Sequence, residues 1–373
     1  MRVVVISHTY VIQSNRGKLE ALARLPGSEV LLVVPRTWRN RDIGQRFRAE
    51  ESPPGRLRVV PVPAWSFGSG SLINYAPVAL WPLLRSFRPH LVHLEEEPWS
   101  LAAFELSLIC RVLGVPLTFF TWENTDRRLL LPFRLIRSWV LRQASAGVAG
   151  NAEAKALLER YRFTNAVAVL PQLGIDASAF HPVGRNVEEQ DIVVGYVGRL
   201  VPQKGLFVLL EAVARLSSDV RLMVVGNGPL KDEILEKARA LGVDRRLELH
   251  EGVPHHEVPR YLRRMSVLVL PSLTTPKWKE QFGHVLVEAM ACEVPVIGSD
   301  SGAIPEVIGD AGLLVPEGNA EALAEAIQRL ISTPALRADL AARGHARVLA
   351  EYTNDAVARR LAAFWRGAIT ESG

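Results

Sequence analysis

Glu280 and Glu288 stand eight residues apart in the run Lys279-Glu280-Gln281-Phe282-Gly283-His284-Val285-Leu286-Val287-Glu288-Ala289-Met290-Ala291. On one continuous helix they would lie roughly 80° apart around the axis. A helix that starts at Phe282-Gly283 fits the pattern better, because glycine lets the backbone turn and come close to a ligand. Glu280 then hangs from the preceding loop, and Glu288 lies in the first two turns. The N–H groups of Gly283, His284 and Val285 fall where a helix leaves donors unpaired and attracts anions. Two carboxylates able to grip hydroxyls and a cradle for phosphate thus share one short element. A sugar joined to a nucleotide through a diphosphate is a ligand that needs both. Glutamates at this spacing are common by chance, so the reading depends on residues elsewhere in the chain.

Arg199 and Lys204 supply the first support. They sit in Gly198-Arg199-Leu200-Val201-Pro202-Gln203-Lys204-Gly205, directly after the β-branched run Ile192 to Val197. A glycine-flanked loop between strand and helix places side chains over a sheet's carboxyl edge. Two cations there suit a diphosphate, arginine through a bidentate fork and lysine as a point charge. The spacing is not that of a P-loop. No Asp-x-Asp pair is present to hold a divalent metal, and cysteine and histidine spacings make no zinc pattern. The expectation is electrostatic stabilisation of a departing diphosphate by Arg199, Lys204 and the helix start at Gly283, with no metal and no cofactor.

These residues need a frame. Arg2 to Ser7 reads as a buried parallel strand, followed by a polar loop with Gly17 and a helix from Leu19 to Leu25. Further strands are expected at 30–34, 57–62, 91–94, 115–121, 146–149 and 167–170, and residues 36–58 read mainly as a long mobile loop. Pro171 to Pro182 reads as a hinge and 184–190 as a polar linker. The strand–loop–helix pattern then restarts at Ile192, with strands at 221–225, 247–249, 267–270 and 294–297 and helices at 206–216 and 322–330. The alternation predicts two doubly wound α/β domains facing a cleft, which is the default ligand site. A chain of 373 residues is long enough for two such cores. No apolar run spans a bilayer. Met1 to Ile6 is too short for a signal peptide and fits a first strand. Cys110 and Cys292 lie in apolar surroundings of different halves, which predicts reduced thiols and a cytoplasmic protein. Net charge is +5, with the basic excess confined to the first half. That half is expected to meet something anionic.

The second half strongly resembles the retaining glycosyltransferases of family four. The motifs are Gly198-Arg199-Leu200-x-Pro202-x-Lys204-Gly205, Gly226-Asn227-Gly228-Pro229, Glu280-x7-Glu288 and Ser301-Gly302-x-x-Pro305-Glu306, in the family's order over roughly residues 190–320. The resemblance implies a GT-B fold, with an acceptor-side domain at 1–172 completed by 353–373 and a donor domain at 173–352. It implies that Arg199 and Lys204 bind the donor diphosphate, that Glu280 touches hydroxyls of the transferred sugar, and that Glu288 holds the ribose. Backbone near Glu251, Gly252 and Val253 would meet the base. The last helix would cross back to the first domain. Metal-independent transfer of a hexose-type sugar from a nucleotide-diphosphate sugar is the implied activity. The acceptor could be a polysaccharide, a glycolipid or a small glycoside.

The first half departs more from that pattern. Of the glycine-rich loop that many relatives carry after the first strand, Gly17 remains. Where many carry a histidine, this chain has Trp122-Glu123-Asn124. Glu123 or Asn124 could stand beside the anomeric carbon, or could cap the next segment. His8 is a further candidate, and His284 could line the phosphates. Glu95-Glu96-Glu97 ends a strand; such a run is ordinarily solvated, but Glu95 could face an acceptor hydroxyl. Arg127 to Trp139 mixes cations with large apolar residues. It fits either a core helix with solvated arginines or weak contact with an anionic membrane. Rival readings are an epimerase or sugar phosphorylase on the same fold, and a silent nucleotide-sugar binder. A nucleic-acid partner is not expected, since no basic cluster with exposed aromatics forms a known module.

Overall fold

The computed structural model describes residues 1–39, 46–52, 55–66, 73–183 and 192–370. The loop expected across 36–58 therefore falls in part outside the described residues, at 40–45 and 53–54, as does the linker expected at 184–190. The chain divides into two compact units, residues 1–174 with 354–373, and residues 175–353.

In the first unit the elements are β1 (Arg2–Ile6), α1 (Gly17–Arg24), β2 (Glu29–Pro35), β3 (Thr37–Arg39), β4 (Arg46–Arg48), β5 (Leu57–Val62), β6 (Ala64–Ser66), β7 (Ile73–Tyr75), α2 (Pro77–Phe87), β8 (Leu91–Leu94), α3 (Leu101–Leu113), β9 (Leu117–Thr121), α4 (Leu131–Gln143), β10 (Ala146–Ala149), α5 (Ala152–Arg160) and β11 (Val167–Val169). Seven strands form one parallel sheet in the order β11-β10-β9-β8-β1-β2-β5. β1 and β8 are buried along nearly their whole length, as strands covered on both faces must be. Leu19 and Leu22 of α1 pack on one face with Val3, Val5 and Val30. Leu80 of α2 and Leu106 of α3 pack on the other with Val4 and Ile6. Part of the segment expected to be loop is ordered: β3 and β4 pair antiparallel, with Trp38 opposite Phe47. Both of those aromatic side chains pack against the α1-side core, which gives the segment a reason to fold down.

The second unit contains β12 (Ile192–Val197), α6 (Leu206–Ala214), β13 (Val220–Val225), α7 (Lys231–Ala240), β14 (Leu247–His250), α8 (Val258–Leu262), β15 (Val267–Leu270), α9 (His284–Ala291), β16 (Val296–Ser299), α10 (Ile304–Ile308), β17 (Gly312–Val315), α11 (Ala320–Ser332) and α12 (Pro334–Glu351). Its sheet has six parallel strands in the order β14-β13-β12-β15-β16-β17. The final helix, α13 (Asn354–Thr370), belongs to the first unit. Its Leu361 and Trp365 are buried in the α1-side core. Two glycines admit it: a Cβ on Gly174 would lie 2.7 Å from the Asn354 backbone nitrogen, and one on Gly17 would lie 2.3 Å from Asn354 Nδ2. Gly17 thus sits against the returning helix.

Strand order reverses direction between β1 and β8 in the first sheet and between β12 and β15 in the second. Open parallel sheets bind ligands beyond the carboxyl ends of strands at such switch points. His8, Glu95 and Glu96 follow β1 and β8, while Gly198, Arg199 and Ser272 follow β12 and β15.

Candidate active site

The second unit's switch point is built by loops that touch backbone to backbone. Gly205, at φ 70°, starts α6, and a Cβ there would lie 1.9 Å from the Pro271 carbonyl oxygen. Only glycine lets the β12 loop close on the β15 loop, and this closure brings Lys204 beside Ser272 and Glu280. A Cβ on Gly226 would meet the Gly198 carbonyl at 1.8 Å, so the Gly226-Asn227-Gly228 turn lies directly on the Gly198 loop. The Asn227 carbonyl accepts from the Leu200 N–H at 2.8 Å, and its Oδ1 accepts from the Gly252 N–H at 2.9 Å. These motif glycines therefore have a packing reason of their own: they let the loops nest.

Glu280 is held at both ends. Its carbonyl accepts from the Ala303 N–H at 2.9 Å, and a Cβ on Gly302 would come within 2.1 Å of that same oxygen. Its buried carboxylate accepts from Ser272 Oγ at 2.7 Å and from Lys204 Nζ. The Lys204 ammonium also lies 5.1 Å from the centre of the Trp278 ring. The ion pair between Lys204 and Glu280 joins residues expected to contact separate parts of one ligand. Arg199 is exposed, and its carbonyl accepts from Tyr196 Oη at 2.8 Å.

α9 starts at His284, with Gly283 before it at φ 82°, in the left-handed region that glycine tolerates. Glu280 lies in the preceding loop and Glu288 in the second turn, buried. Val285 occupies the first turn beside His284. Burial holds the His284 imidazole below its ordinary pKa, against the pull of Glu288 and Glu280, which favours the neutral ring. Glu288 Oε1 meets His255 Nε2 at 2.8 Å. That hydrogen bond raises the His255 pKa, with burial opposing it. His255 was not legible as a partner, since it comes from another loop and no spacing links it to Glu288. Gly252 is exposed at φ 66° and Val253 is partly buried, close behind β14.

In the first unit the Glu95-Glu96-Glu97 run is not a solvated face. Glu95 and Glu96 are buried and Glu97 is partly so. Glu95 accepts from Lys18 Nζ at 2.6 Å, Tyr10 Oη at 2.6 Å and Gln172 Nε2 at 3.0 Å. Burial would raise its pKa, but Lys18 and His93 hold it down to about 2. With its oxygens taken by side chains, Glu95 serves the interior, where an acceptor-facing position was expected. Lys18 is the missed residue: nothing in a single lysine of α1 announces burial. Glu97 accepts from Thr121 Oγ1 and the Trp122 N–H.

Glu96 instead serves His8. Its Oε1 lies 2.7 Å from His8 Nδ1 and accepts from the His8 N–H at 3.0 Å and Tyr75 Oη at 3.0 Å. The Trp38 ring lies 4.3 Å from the imidazole, tilted by 37°. Burial would lower the His8 pKa, yet the charge and hydrogen bond of Glu96, with Glu95 behind it, raise it overall. Glu123 does not join this group. It lines a small cavity with Thr121, Arg137 and Tyr161, and its Oε1 has no hydrogen-bond partner. Burial and Glu97 push its carboxyl up to about 7. Asn124 Nδ2 donates to Glu153 Oε2 at 3.3 Å, in the first turn of α5. Among the described residues no cluster of His, Cys, Asp and Glu is arranged to hold a metal ion.

Residues 179–347 match the family described as Glycosyl transferases group 1, and residues 13–172 match the Glycosyl transferase 4-like domain. An alpha-D-kanosaminyltransferase of Streptomyces kanamyceticus is 25% identical over 92% of this chain and 95% of its own. A GDP-mannose-dependent alpha-(1-6)-phosphatidylinositol dimannoside mannosyltransferase of Mycobacterium tuberculosis is 28% identical over 90% of this chain and 88% of its own. In fold, the chain resembles HepE of Anabaena in complex with UDP, with a TM-score of 0.76 at 17% identity, covering 98% of this chain and 100% of that one. Between them the two family matches take in most of the chain, and both halves carry the parallel sheets just described. The chain belongs to the group 1, family-four-like glycosyltransferases of GT-B fold, enzymes that transfer a sugar from a nucleotide sugar.

Proposed function

We propose that this chain moves a hexose-type sugar from a nucleotide-diphosphate donor to an acceptor hydroxyl with retention of anomeric configuration, and that it needs no metal. The observation that carries the reading is the gathering of Lys204, Ser272 and Glu280 beside the start of α9. Without ligand, Lys204 neutralises Glu280. An arriving diphosphate draws that ammonium toward itself, with Arg199 and the backbone donors at Gly283, His284 and Val285 as its other partners. Glu280 is then released to accept hydrogen bonds from sugar hydroxyls, and Glu288 to accept from the ribose. The loop at Gly252 and Val253 lies beside the base.

In the transfer step the bond between the anomeric carbon and the phosphate oxygen breaks, and the cations hold the negative charge that departs with the diphosphate. The acceptor hydroxyl bonds to the same face. Its proton passes to the departing phosphate oxygen, so the nucleotide leaves as a diphosphate. Both relatives cited are named for alpha-linked transfer, and common nucleotide hexoses carry an alpha-linked phosphate. Alpha product from alpha donor is retention. A carbohydrate or lipid-linked acceptor belongs to the reading, the lipid-linked one in keeping with the name of the mannosyltransferase relative, and so does weak contact with an anionic membrane surface.

Thermal-shift screening over nucleotide sugars, followed by proton NMR of the product, tests it. The expected outcome is one stabilising donor and an alpha-linked product, with turnover persisting in EDTA. A beta-linked product from an alpha donor removes retention. Activity lost to EDTA and restored by Mg²⁺ removes metal independence.

A further inference from the structure

α4 packs against the body along one side only. Trp139 Nε1 donates to Ser107 Oγ of α3 at 2.9 Å, and Val140 is buried in the core on that face of the sheet. The opposite side is built from the wrong residues for a water-facing helix. Leu131 and Leu135, one turn apart, are 64% and 62% exposed, and Leu130 just before them is 72% exposed. Arg134, Ser138 and Arg142 are exposed with them. At 3.6 residues per turn, positions 131, 134, 135, 138 and 142 fall on one face. Arg127 and Arg128 are exposed in the segment leading in. From Arg127 to Gln143 the chain has five arginines and no acidic residue. One of the five, Arg137, turns inward over the Tyr161 ring, which leaves four at the surface.

We propose that this face of α4, with the segment leading into it, docks on the surface of an anionic bilayer. Leu130, Leu131 and Leu135 enter the boundary between headgroups and acyl chains, while Arg127, Arg128, Arg134 and Arg142 meet lipid phosphates. Charge selects this occupant. Exposed leucines ringed by arginines, with one carboxylate, Glu123, 3.6 Å from Arg127, match an interface that is apolar below and anionic above. A second copy is disfavoured, because a two-fold contact sets the same patch against itself and brings the arginines together. No helix among the described residues is long and apolar enough to cross a membrane, so the contact is peripheral. The inference rests on the membrane contact in the proposed function and is independent of the donor chemistry.

Flotation of the full chain with vesicles of phosphatidylcholine alone, and of phosphatidylcholine mixed with phosphatidylglycerol, tests it. Binding is expected to the mixed vesicles only, and to fall in high salt. Leu131→Glu with Leu135→Glu should weaken that binding at least about tenfold, as should Arg128→Glu with Arg134→Glu. Both pairs should keep the thermal midpoint and the turnover of a water-soluble acceptor. Equal binding to the two vesicle types overturns the proposal, as does unchanged binding of the variants. A dimer that dissociates in the leucine variant would assign the face to a second copy and also overturn it. Loss of sugar transfer with vesicle binding intact would count against the proposed function and leave the docking surface standing.

Discussion

Each sheet buries a lysine–glutamate pair at its switch point, and the two pairs differ in what surrounds them. Lys18 and Glu95 meet at 2.6 Å, with side chains 2% and 0% exposed. Tyr10, Gln172 and His93 close around the same carboxylate. Lys204 and Glu280 are 14% and 8% exposed, with Ser272 on the carboxylate and the Trp278 ring near the ammonium. A pair sealed by its neighbours can act only on folding. A pair with a wetted side can exchange partners with a ligand. Equivalent topology and the same two residue types therefore give a structural strut in one unit and a candidate binding group in the other. Packing makes the difference.

The largest expected effect lies on the sealed pair. Lys18→Met leaves the Glu95 carboxylate buried without its cation, which costs about 3–5 kcal/mol. Urea unfolding followed by circular dichroism should show that loss, and Lys18→Met combined with Glu95→Gln should recover part of it. A loss below about 1 kcal/mol would mean that Glu95 finds other compensation and that the two pairs are alike.

The open pair should behave in reverse. Glu280→Gln keeps the shape and the hydrogen bond from Ser272, removes the buried anion and lets Lys204 turn to water, so the stability change should stay below the loss of about 3–5 kcal/mol that a broken buried pair brings. Turnover should fall on the order of a hundredfold, through lost contacts to the transferred sugar. Full activity in a folded Glu280→Gln enzyme would remove Glu280 from the site. Unfolding by several kcal/mol would make it a second strut.

The contrast also explains what was legible beforehand. Most strand positions of the two parallel sheets stood in the sequence because parallel strands covered on both faces are continuous apolar runs, as at Val3 to Ile6 and Val267 to Leu270, whereas the partly exposed edge strand β17 did not. The start of α9 was legible too, since Gly283 marks a backbone conformation that few other residues adopt. Glu95 was not. Its burial depends on Lys18, Tyr10 and Gln172, which are distant in sequence and meet it only in the folded sheet. The same holds for His255 on Glu288. Motif spacing reports residues that share one loop or helix, and it is silent on partners brought by different strands. The glycines of the motifs were legible as special, but the reason was not: Gly205, Gly226 and Gly302 are required where loop meets loop.

A smaller effect distinguishes His8 from its sealed neighbours. Glu96 sits between them, buried like Glu95 but aimed at an imidazole that keeps some exposure. Glu96→Gln should lower the His8 pKa, read from nitrogen-15 NMR of the ring as pH is varied. The raised pKa makes the contact stabilising at low pH, and the stabilisation is lost as pH rises through the folded-state value. The variant should therefore lose more stability at about pH 5 than at about pH 9. An unmoved titration would mean that Glu96 acts on Tyr75 and the backbone alone.

The smallest effect concerns Glu288 and His255. Their contact raises the His255 pKa, so its contribution to stability is complete below the unfolded value and is lost as pH rises through the folded one. Because His255 is largely exposed, that contribution should stay under about 1 kcal/mol. Its use is as a reporter. If ribose hydroxyls take the Glu288 carboxylate, nucleotide binding loosens the hold on the His255 proton. Binding should then release protons, and affinity should rise a few-fold from about pH 6 to about pH 8. Calorimetry in two buffers of different ionisation enthalpy counts the protons. His255→Gln should flatten the dependence while leaving the nucleotide bound. Proton release that persists in His255→Gln would trace to another group. Affinity independent of pH in the parent enzyme would place the ribose away from Glu288, and the second unit's open site would shrink to the Lys204–Glu280 pair.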